Sequence, residues 1–374
     1  MKVFIFAVAL LLLVSATATG EVIEHPLLLK EDAGKLYVGY DSGNIRVFDA
    51  LTLKTLQTFP IERRYIFSIE TDADNIYYGT SPIKNISFVA AISKNGNPVA
   101  SANNSKNVLS LLISGGMLYA CDSTKRIVVY SLPGLETLGI MNNTGVCKSA
   151  RVDDNYVYAT NTNKIVMWNK SNLKEIKNIS AHYNLVESLW DDGKNLYSVS
   201  DDNMLKIWSK PDLALKGEVK IAHLWAMTGD DDFIYASSDM NILILNKTGS
   251  IIKTLKTGTT TYAIYVTDDF IYATQDDGIV RAWDKNTLQN TATSKHFQTK
   301  KLKWIVVDLT ANIFYILLAV GIVGFVATTL IEKKKKKSHE EAHVDKPQSP
   351  HAPAEKPLHP PQETHKDDGE GKTR

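Results

Sequence analysis

The fold of this protein is decided by residues 261–284, which read TYAIYVTDDFIYATQDDGIVRAWD. Three apolar runs rich in β-branched and aromatic residues are separated by the polar segments Thr267-Asp268-Asp269 and Asp276-Asp277-Gly278. Such runs predict β-strands. The polar segments predict tight turns, because Asp bonds its own backbone and Gly tolerates a positive φ. With the polar segment that follows Asp284-Lys285-Asn286, this stretch predicts one unit of four antiparallel strands.

The second strand of this unit contains an aliphatic residue followed by tyrosine, and that pair recurs along the chain. The seven copies are Leu36-Tyr37, Ile76-Tyr77, Leu118-Tyr119, Val157-Tyr158, Leu196-Tyr197, Ile234-Tyr235 and Ile271-Tyr272. Successive tyrosines are 40, 42, 39, 39, 38 and 37 residues apart. A period of about 40 residues with four strands per unit is typical of a β-propeller. The sequence therefore predicts an all-β, seven-bladed β-propeller.

The two ends of the repeat predict how the ring closes. Residues 26–30 predict the inner strand of the first blade, and residues 288–298 predict the outer strand of the seventh blade. Seven blades then close without sharing a strand between the two ends of the chain. As an alternative for the last part, the polar residues 295–303 form a stalk that leads away from the propeller.

The third strand of most units ends in a large apolar residue followed by a small polar one, as in Trp168-Asn169 and Trp283-Asp284. His182 and His223 precede inner strands. At these residues, and over residues 26–295, the chain resembles the WD-repeat propellers. Residues 36–43, which read LYVGYDSG, are also similar to the quinoprotein-type repeat. The adjacent cysteine pair of catalytic quinoproteins is absent, and the resemblance implies a divergent member of this propeller superfamily.

The N-terminus has the features of a secretory signal peptide. Lys2 precedes an apolar run from Phe4 to Val14, which is followed by small residues up to Gly20. The run is too short to cross about 30 Å of hydrocarbon, and a short apolar core before small residues is typical of a cleaved leader. The sequence predicts a signal peptide at residues 1–20 and a mature chain that begins near Glu21.

Residues 310–331 predict a transmembrane helix, because these 22 residues carry no charge and are long enough to cross a bilayer. The lysines at 333–337 follow at once, and such clusters stay in the cytoplasm. Residues 332–374 combine ten Lys and Arg, nine Asp and Glu and six of the twelve prolines. This composition predicts a disordered tail that is available to a cytoplasmic partner.

These segments together predict a single-pass type I membrane protein at the cell surface or in a secretory-pathway membrane. The predicted propeller occupies residues 21–299 and lies outside the cytoplasm. A juxtamembrane stalk at residues 300–309 joins it to the transmembrane helix. The net charge of +1 and the absence of a strong basic stripe argue against nucleic acid as a partner.

Cysteines and glycosylation sequons fit an exported domain. Cys121 and Cys147 are the only cysteines, and an oxidising compartment permits them to pair if their Cα atoms lie about 5.5 Å apart. Two free thiols are the alternative. Six N-x-[ST] sequons precede the predicted membrane span and predict N-glycosylation. They begin at Asn85, Asn103, Asn142, Asn169, Asn178 and Asn246.

The sequence contains no motif for catalysis or for a cofactor. A nucleotide-binding loop, a nucleophile elbow, an HExxH motif and a Cys/His cluster with metal spacing are all absent. Pairs of Asp recur in register with the repeat, so we interpret them as turn residues rather than as metal ligands or acid–base carboxylates. The pairs are at positions 153-154, 191-192, 201-202, 231-232, 268-269 and 276-277. We therefore predict no catalytic residue, no cofactor and no metal site.

The residues that interrupt the repeat lie near the starts of the inner strands. In a propeller these positions gather at one mouth of the central channel, and mixtures of aromatic and polar residues are enriched at partner-binding surfaces. The alternative is that they pack and cap the channel. The predicted partner-binding set is Arg63, Arg64, Tyr65, His182, Tyr183, His223, Trp225 and Tyr262.

The sequence thus favours a non-enzymatic ectodomain of receptor, adhesion or scaffold type that binds a protein or glycan partner. One alternative is an exported enzyme of quinoprotein or lyase type that uses the central channel. A second alternative is a luminal scaffold of the secretory pathway.

Overall fold

The computed structural model describes residues 19–61, 65–82, 87–104, 106–123 and 125–302. Most of the predicted signal peptide, the predicted membrane span at 310–331 and the tail at 332–374 lie outside these ranges. In the described part of the chain, no helix is long and apolar enough to cross a membrane.

The described residues form seven antiparallel sheets of four consecutive strands, so the predicted seven-bladed β-propeller is confirmed. Strand β1 (Thr19–Ile23) precedes the blades. Blade 1 contains β2 (Pro26–Asp32), β3 (Lys35–Tyr40), β4 (Asn44–Asp49) and β5 (Thr55–Pro60). Blade 2 contains β6 (Ile66–Thr71), β7 (Asn75–Thr80), β8 (Ser87–Ser93) and β9 (Pro98–Asn104). Blade 3 contains β10 (Val108–Ser114), β11 (Met117–Asp122), β12 (Arg126–Ser131) and β13 (Thr137–Asn142).

The remaining four blades follow the same plan. Blade 4 contains β14 (Ala150–Val152), β15 (Tyr156–Asn161), β16 (Lys164–Asn169) and β17 (Glu175–Ser180). Blade 5 contains β18 (Val186–Asp191), β19 (Asn195–Ser200), β20 (Met204–Ser209) and β21 (Leu215–Lys220). Blade 6 contains β22 (Leu224–Gly229), β23 (Phe233–Ser238), β24 (Asn241–Asn246) and β25 (Ile251–Lys256). Blade 7 contains β26 (Thr261–Val266), β27 (Phe270–Gln275), β28 (Val280–Asp284) and β29 (Asn290–Thr293). Strand β30 (Gln298–Leu302) follows the blades.

The hydrophobic core of the described chain is divided into seven clusters, each packed between two neighbouring blades. Between blades 3 and 4, for example, Val129 packs with Trp168. Between blades 7 and 1, Tyr272 packs with Phe48. Because both faces of every blade are covered by a neighbour, the second and third strands carry almost continuous apolar runs. The cluster between blades 7 and 1 closes the ring.

The chain ends pair in a two-stranded sheet outside the blades, and this corrects the predicted last strand. The outer strand of blade 7 is only β29, whereas the sequence pattern predicted it over residues 288–298. Strand β30 pairs with β1, with Thr19 opposite Leu302 and Ile23 opposite Gln298. The ordered unit thus extends past the predicted propeller end at residue 299, and β1 begins within the predicted signal peptide.

A buried ion pair ties this closing sheet to blade 1. Glu24 is 1% exposed and accepts hydrogen bonds from the Arg46 guanidinium and from the Asn44 amide, the latter at 2.9 Å. The Arg46 guanidinium also lies 3.9 Å from the ring centroid of Phe297, just before β30. Glu24, Arg46 and Phe297 therefore join the first and last segments of the propeller to the same blade.

The recurrent tyrosine is a structural clamp in three of the blades. Its hydroxyl donates to the carboxylate of an Asp five residues earlier, in the turn between the first and second strands. The distances are 2.6 Å from Tyr77 to Asp72, 2.8 Å from Tyr197 to Asp192 and 2.8 Å from Tyr235 to Asp230. The other oxygen of Asp192 accepts the backbone N–H groups of Lys194 and Asn195, at 2.9 and 2.6 Å. Asp192, a member of the predicted pair 191-192, is therefore a turn residue.

These contacts shift the pKa values of both partners. Burial and the bond to Asp192 raise the pKa of Tyr197 above its usual value. Partial burial alone raises the pKa of Asp192, but the hydrogen bonds from Asn195, Tyr197 and Lys194 outweigh it, and the pKa lies below its usual value. The folded chain therefore keeps the tyrosine neutral and the aspartate ionised.

A lysine that follows the third strand links neighbouring blades, a contact that the sequence pattern did not indicate. Lys210 of blade 5 lies 3.0 Å from Asp153 of blade 4 and 2.9 Å from Asp191 of its own blade. Lys285 of blade 7 lies 2.8 Å from Asp230 of blade 6. Lys94 likewise reaches Asp32, and Lys170 reaches Ser114. These lysines fasten the edge of one blade to the turn of the blade before it.

Cys121 and Cys147 form a disulfide, with their Cα atoms 5.4 Å apart. Cys147 lies in the connection before β14 rather than within an inner strand. The two cysteines occupy positions at which the strands of other blade pairs come close together. Between blades 2 and 3, for example, a Cβ atom added to Gly79 would lie 2.5 Å from Val108. The disulfide therefore joins blades 3 and 4 at a position where neighbouring strands already approach closely.

Candidate partner-binding surface

The two ends of the propeller have different surfaces. The turn face carries the turns within each blade between its first and second strands and between its third and fourth strands. The channel-mouth face carries the connections between blades and the turns between second and third strands. The clamps of Tyr197 and Lys210 lie on the turn face, where many polar groups are already bonded within the chain. The predicted partner-binding residues that the structure describes belong to the channel-mouth face.

In six blades, a bulge near the channel-mouth end of the first strand changes the direction of one side chain. In six blades the pairing of the first and second strands shifts register just after the first strand begins. Such a bulge leaves a residue unpaired and turns it away from the sheet. The residues within these shifts include Leu27, Phe67, Leu109, Glu187, Trp225 and Tyr262. Among these six, only Trp225 and Tyr262 are exposed, at 48% and 40%.

Blades 5, 6 and 7 therefore share an exposed patch, which we call the aromatic patch. It consists of Tyr183, Trp225, Met240 and Tyr262. Tyr183 is 94% exposed in the connection before blade 5, and Met240 is 59% exposed in the central turn of blade 6. These side chains are thus not packed in the core, and exposed aromatic groups of this kind are typical of protein-interaction surfaces.

Hydrogen bonds hold two members of the aromatic patch in place. The Tyr262 hydroxyl donates to the Asp276 carboxylate, and burial together with this bond raises the pKa of Tyr262 to about 12. The backbone N–H of Tyr183 donates to Asp202 at 3.0 Å. The ring of Tyr183 is thus displayed on an anchored backbone.

His182, one of the predicted partner-binding residues, is buried and therefore packs within blade 5, which is the alternative that the sequence left open. Its side chain is fully buried, with Nδ1 3.0 Å from Asp202 and Nε2 2.7 Å from the Ser198 hydroxyl. Trp208 donates to the same hydroxyl at 2.9 Å. Burial lowers the pKa of His182, although Asp202 opposes this effect. The neutral imidazole fixes Asp202, which in turn binds the backbone of Tyr183.

His223 remains on the surface beside the aromatic patch. Its Nδ1 lies 2.5 Å from Asp239, and both side chains are more than half exposed. Its backbone N–H donates to the Asn203 side chain at 2.9 Å. The residue adopts a positive φ of 54°, which is uncommon for a residue with a Cβ. The pair defines the edge of the patch on blade 6.

The other predicted residues do not join this patch. Tyr65 is 47% exposed and packs edge-to-face on Phe67, at a centroid distance of 5.8 Å. It belongs to blade 2, which is not adjacent to blades 5, 6 or 7. Arg63 and Arg64 lie outside the described residues. The structure thus places Tyr183, His223, Trp225 and Tyr262 on the channel-mouth face of blades 5–7.

Met240 is an exposed member of the aromatic patch that was absent from the predicted partner-binding set. The sequence already distinguishes this turn, because other hairpin turns at this position contain Gly or Asn, as in Asp276-Asp277-Gly278 and Asp201-Asp202-Asn203. A large apolar residue in the turn Asp239-Met240 departs from that pattern.

The described sequon asparagines leave the aromatic patch uncovered. Asn103, Asn142 and Asn178 are exposed on the outer strands of blades 2, 3 and 4. Asn169 and Asn246 end third strands and are partly exposed on the turn face. Asn85 lies outside the described residues. Glycans at the described positions are compatible with a free patch on blades 5–7.

The described residues contain no group of three or more His, Cys, Asp or Glu side chains arranged to hold a metal ion. In this part of the chain, each of the Asp residues 192, 202 and 230 instead bonds backbone or side-chain donors of its own blade.

The described residues form a β-propeller with aromatic side chains exposed on one face. No family model matches the chain, and no curated protein matches it. The chain is similar to the WD40 β-propeller domain of Doa1, with a TM-score of 0.61 and 16% identity over 73% of this chain and 97% of that one. It is also similar to the computationally designed Ika8 protein, with a TM-score of 0.55 and 13% identity over 70% and 96%. At these identities the likeness establishes the fold alone.

Proposed function

We propose that this propeller is a non-enzymatic scaffold that captures a protein partner through the aromatic patch. The observation that carries the proposal is the cluster of Tyr183, Trp225, Met240 and Tyr262, which are between 40% and 94% exposed on three consecutive blades. Buried aromatic anchors supply most of the binding energy in protein interfaces. The rigid blades support this role, because they present these side chains without a cost for ordering a loop.

The proposal includes the membrane topology that the sequence predicts. The propeller faces the extracytoplasmic side as a receptor- or adhesion-like domain, and residues 310–331 anchor it in the membrane. The disulfide between Cys121 and Cys147 supports an oxidising compartment. Six sequons before the predicted span support the same side.

Site-specific photo-cross-linking tests the proposed binding role. A photoreactive phenylalanine derivative replaces Tyr183 in the full-length chain in its native cells. The matched control carries the same group at Leu215, which is 50% exposed on the outer strand β21. The expected result is one dominant cross-linked protein from position 183 that is absent from position 215. Equal cross-linking from both positions, or none from position 183, contradicts the proposal.

Glycosidase treatment tests the proposed side of the membrane. If the propeller enters the secretory pathway, removing N-glycans increases the electrophoretic mobility of the full-length chain. Substituting the described sequon asparagines with Gln removes that shift. A chain whose mobility is unchanged by the enzyme, and whose propeller is digested by protease added from the cytoplasmic side, contradicts the topology.

A further inference from the structure

The channel-mouth face is polarised in charge, and the aromatic patch lies on its acidic half. The segments of blades 5–7 on this face are residues 181–185, 201–203, 221–223, 239–240, 257–260 and 276–279. They contain five Asp and no Lys or Arg, while the exposed Lys220 and Lys256 end the adjoining outer strands β21 and β25. The five are Asp201, Asp202, Asp239, Asp276 and Asp277.

The other half of the face carries the opposite charge. In the described residues of the corresponding segments of blades 2–4, the charged side chains are Lys106, Lys125 and Lys148. No Asp or Glu lies in these described segments. Lys148 is paired with Glu187 of blade 5, so the remaining positive side chains of these segments are Lys106 and Lys125. The charge of the connecting segments therefore differs between blades 2–4 and blades 5–7, which favours one orientation of a charged partner.

Three of the five carboxylates are exposed at the surface, and two of them have a partner on this face: Asp239 lies beside His223, and Asp276 accepts the Tyr262 hydroxyl. Asp201, Asp239 and Asp276 are exposed, whereas Asp202 binds His182 and Asp277 lies 2.6 Å from the Arg281 guanidinium. The exposed three are distributed over blades 5, 6 and 7, one in each central turn. The aromatic patch thus has a carboxylate on every blade that contributes to it.

The chain already places one cation of its own near the patch. The Lys206 ammonium lies 6.0 Å from the ring centroid of Tyr183, which is within the range of a cation–π contact. It is also bonded to the Ala181 carbonyl at 3.0 Å and lies 3.5 Å from Glu218. Although the Lys206 ammonium approaches one side of its ring, Tyr183 remains 94% exposed.

Aromatic rings next to carboxylates are the chemistry that recognises ammonium and guanidinium groups. We propose that the aromatic patch receives a cationic segment of the protein partner, with Lys or Arg side chains between the rings of Trp225 and Tyr262 and the carboxylates of Asp239 and Asp276. This inference rests on the proposed function and specifies the class of partner. An acidic segment meets like charges on blades 5–7, and a purely apolar segment covers the three carboxylates without adding a cation to neutralise them.

Direct binding of a charged peptide tests this inference. The probes are fluorescein-labelled hexalysine amide and hexaglutamate amide, and fluorescence anisotropy measures their affinity for the full-length protein. Hexalysine is expected to bind and to weaken as salt is raised, because the carboxylates are exposed. Hexaglutamate is expected to bind at least about tenfold more weakly.

A matched pair of charge reversals assigns the binding to this face. The test variant is Asp239→Lys with Asp276→Lys. The control variant, Asp231→Lys with Asp268→Lys, makes the same change of net charge on the turn face, where both residues are exposed. The test variant is expected to bind hexalysine at least about tenfold more weakly, and the control within about twofold. Equal losses in both variants, or no binding of hexalysine to the unaltered chain, overturn the inference.

Cross-linking from position 183 separates this inference from the proposed function. The cross-linked partner is expected to disappear in the test variant and to persist in the control variant. If the test variant keeps the partner, the cationic class is wrong while the binding role of the patch stands. If the unaltered chain yields no partner from position 183, the proposed function fails, and the inference fails with it.

Discussion

Replacing the repeat tyrosine with phenylalanine is expected to have opposite effects in two blades. In blade 5, the Tyr197 hydroxyl donates to Asp192 at 2.8 Å. In blade 3, the turn Ser114-Gly115-Gly116 contains no Asp, and the buried Tyr119 hydroxyl has no hydrogen-bond partner among the described residues. The two tyrosines occupy the same strand position, so the change removes the same atom from closely similar packing.

The expected sizes follow from the partners. A hydrogen bond to a charged group stabilises a fold by about 1.5–3 kcal/mol. Asp192 keeps its two backbone donors when the hydroxyl is removed, so we expect Tyr197→Phe to lower the free energy of unfolding by about 1.5 kcal/mol. Removing the unpartnered hydroxyl in Tyr119→Phe relieves a desolvation cost and is expected to raise it by up to about 1 kcal/mol.

Urea denaturation followed by tryptophan fluorescence measures both free energies. The difference between the two variants, about 2 kcal/mol, exceeds the usual error of such measurements. If both variants lose stability equally, the bond from tyrosine to aspartate is not what distinguishes these blades. An unstable Tyr119→Phe and an unaffected Tyr197→Phe would refute the reasoning outright.

Three further predictions concern the blade junctions and the pH dependence of stability. Lys210→Met is expected to lower the free energy of unfolding by about 2–3 kcal/mol, roughly twice the effect of Lys285→Met, because Lys210 binds two carboxylates and Lys285 binds one. Equal urea midpoints for the two variants would contradict this prediction. Cys121→Ala with Cys147→Ala is expected to cost about 3 kcal/mol, since the disulfide closes a loop with a sequence separation of 26; an unchanged urea midpoint contradicts it. The pKa of Tyr235 is raised, mainly by burial and then by its bond to Asp230, so its stabilisation is present below about pH 10 and is lost as pH rises further. The pKa of Asp230 is lowered, because bonds from Lys285, Phe233 and Tyr235 outweigh partial burial; its stabilisation is present above about pH 4 and is lost as pH falls. A free energy of unfolding that increases at either extreme contradicts these assignments.

Local patterns in the sequence predicted the blades because each blade is built from consecutive strands. The apolar run at residues 270–274 became β27, and Gly278 adopts the positive φ of 80° that the turn requires. The clamp was also readable, because Asp192 and Asp230 each precede a repeat tyrosine by five residues. The hydrogen bond itself, however, forms only because the turn brings the Asp carboxylate back to the tyrosine hydroxyl.

Features that depend on distant segments were not predictable from the pattern. Strand β30 pairs with β1 from the opposite end of the chain, so no local period marks it. The sequence left open whether His182 binds a partner or packs, because its environment is created by Ser198, Asp202 and Trp208 on other segments of blade 5. The charge polarity of the channel-mouth face likewise appears only when turns from separate blades are brought to the same end.

The central claim is that the aromatic patch is where the propeller binds a protein partner. Its most direct test compares two triple variants of the full-length chain by quantitative recovery of the partner that cross-links to position 183. The test variant, Tyr183→Ala with Trp225→Ala and Tyr262→Ala, is expected to reduce recovery by at least about tenfold and to change the melting temperature by only about 3 °C. The control variant replaces Ile176, Leu215 and Ile252, each 50% exposed on outer strands, and is expected to keep full recovery. Undiminished recovery with the patch removed would contradict the account.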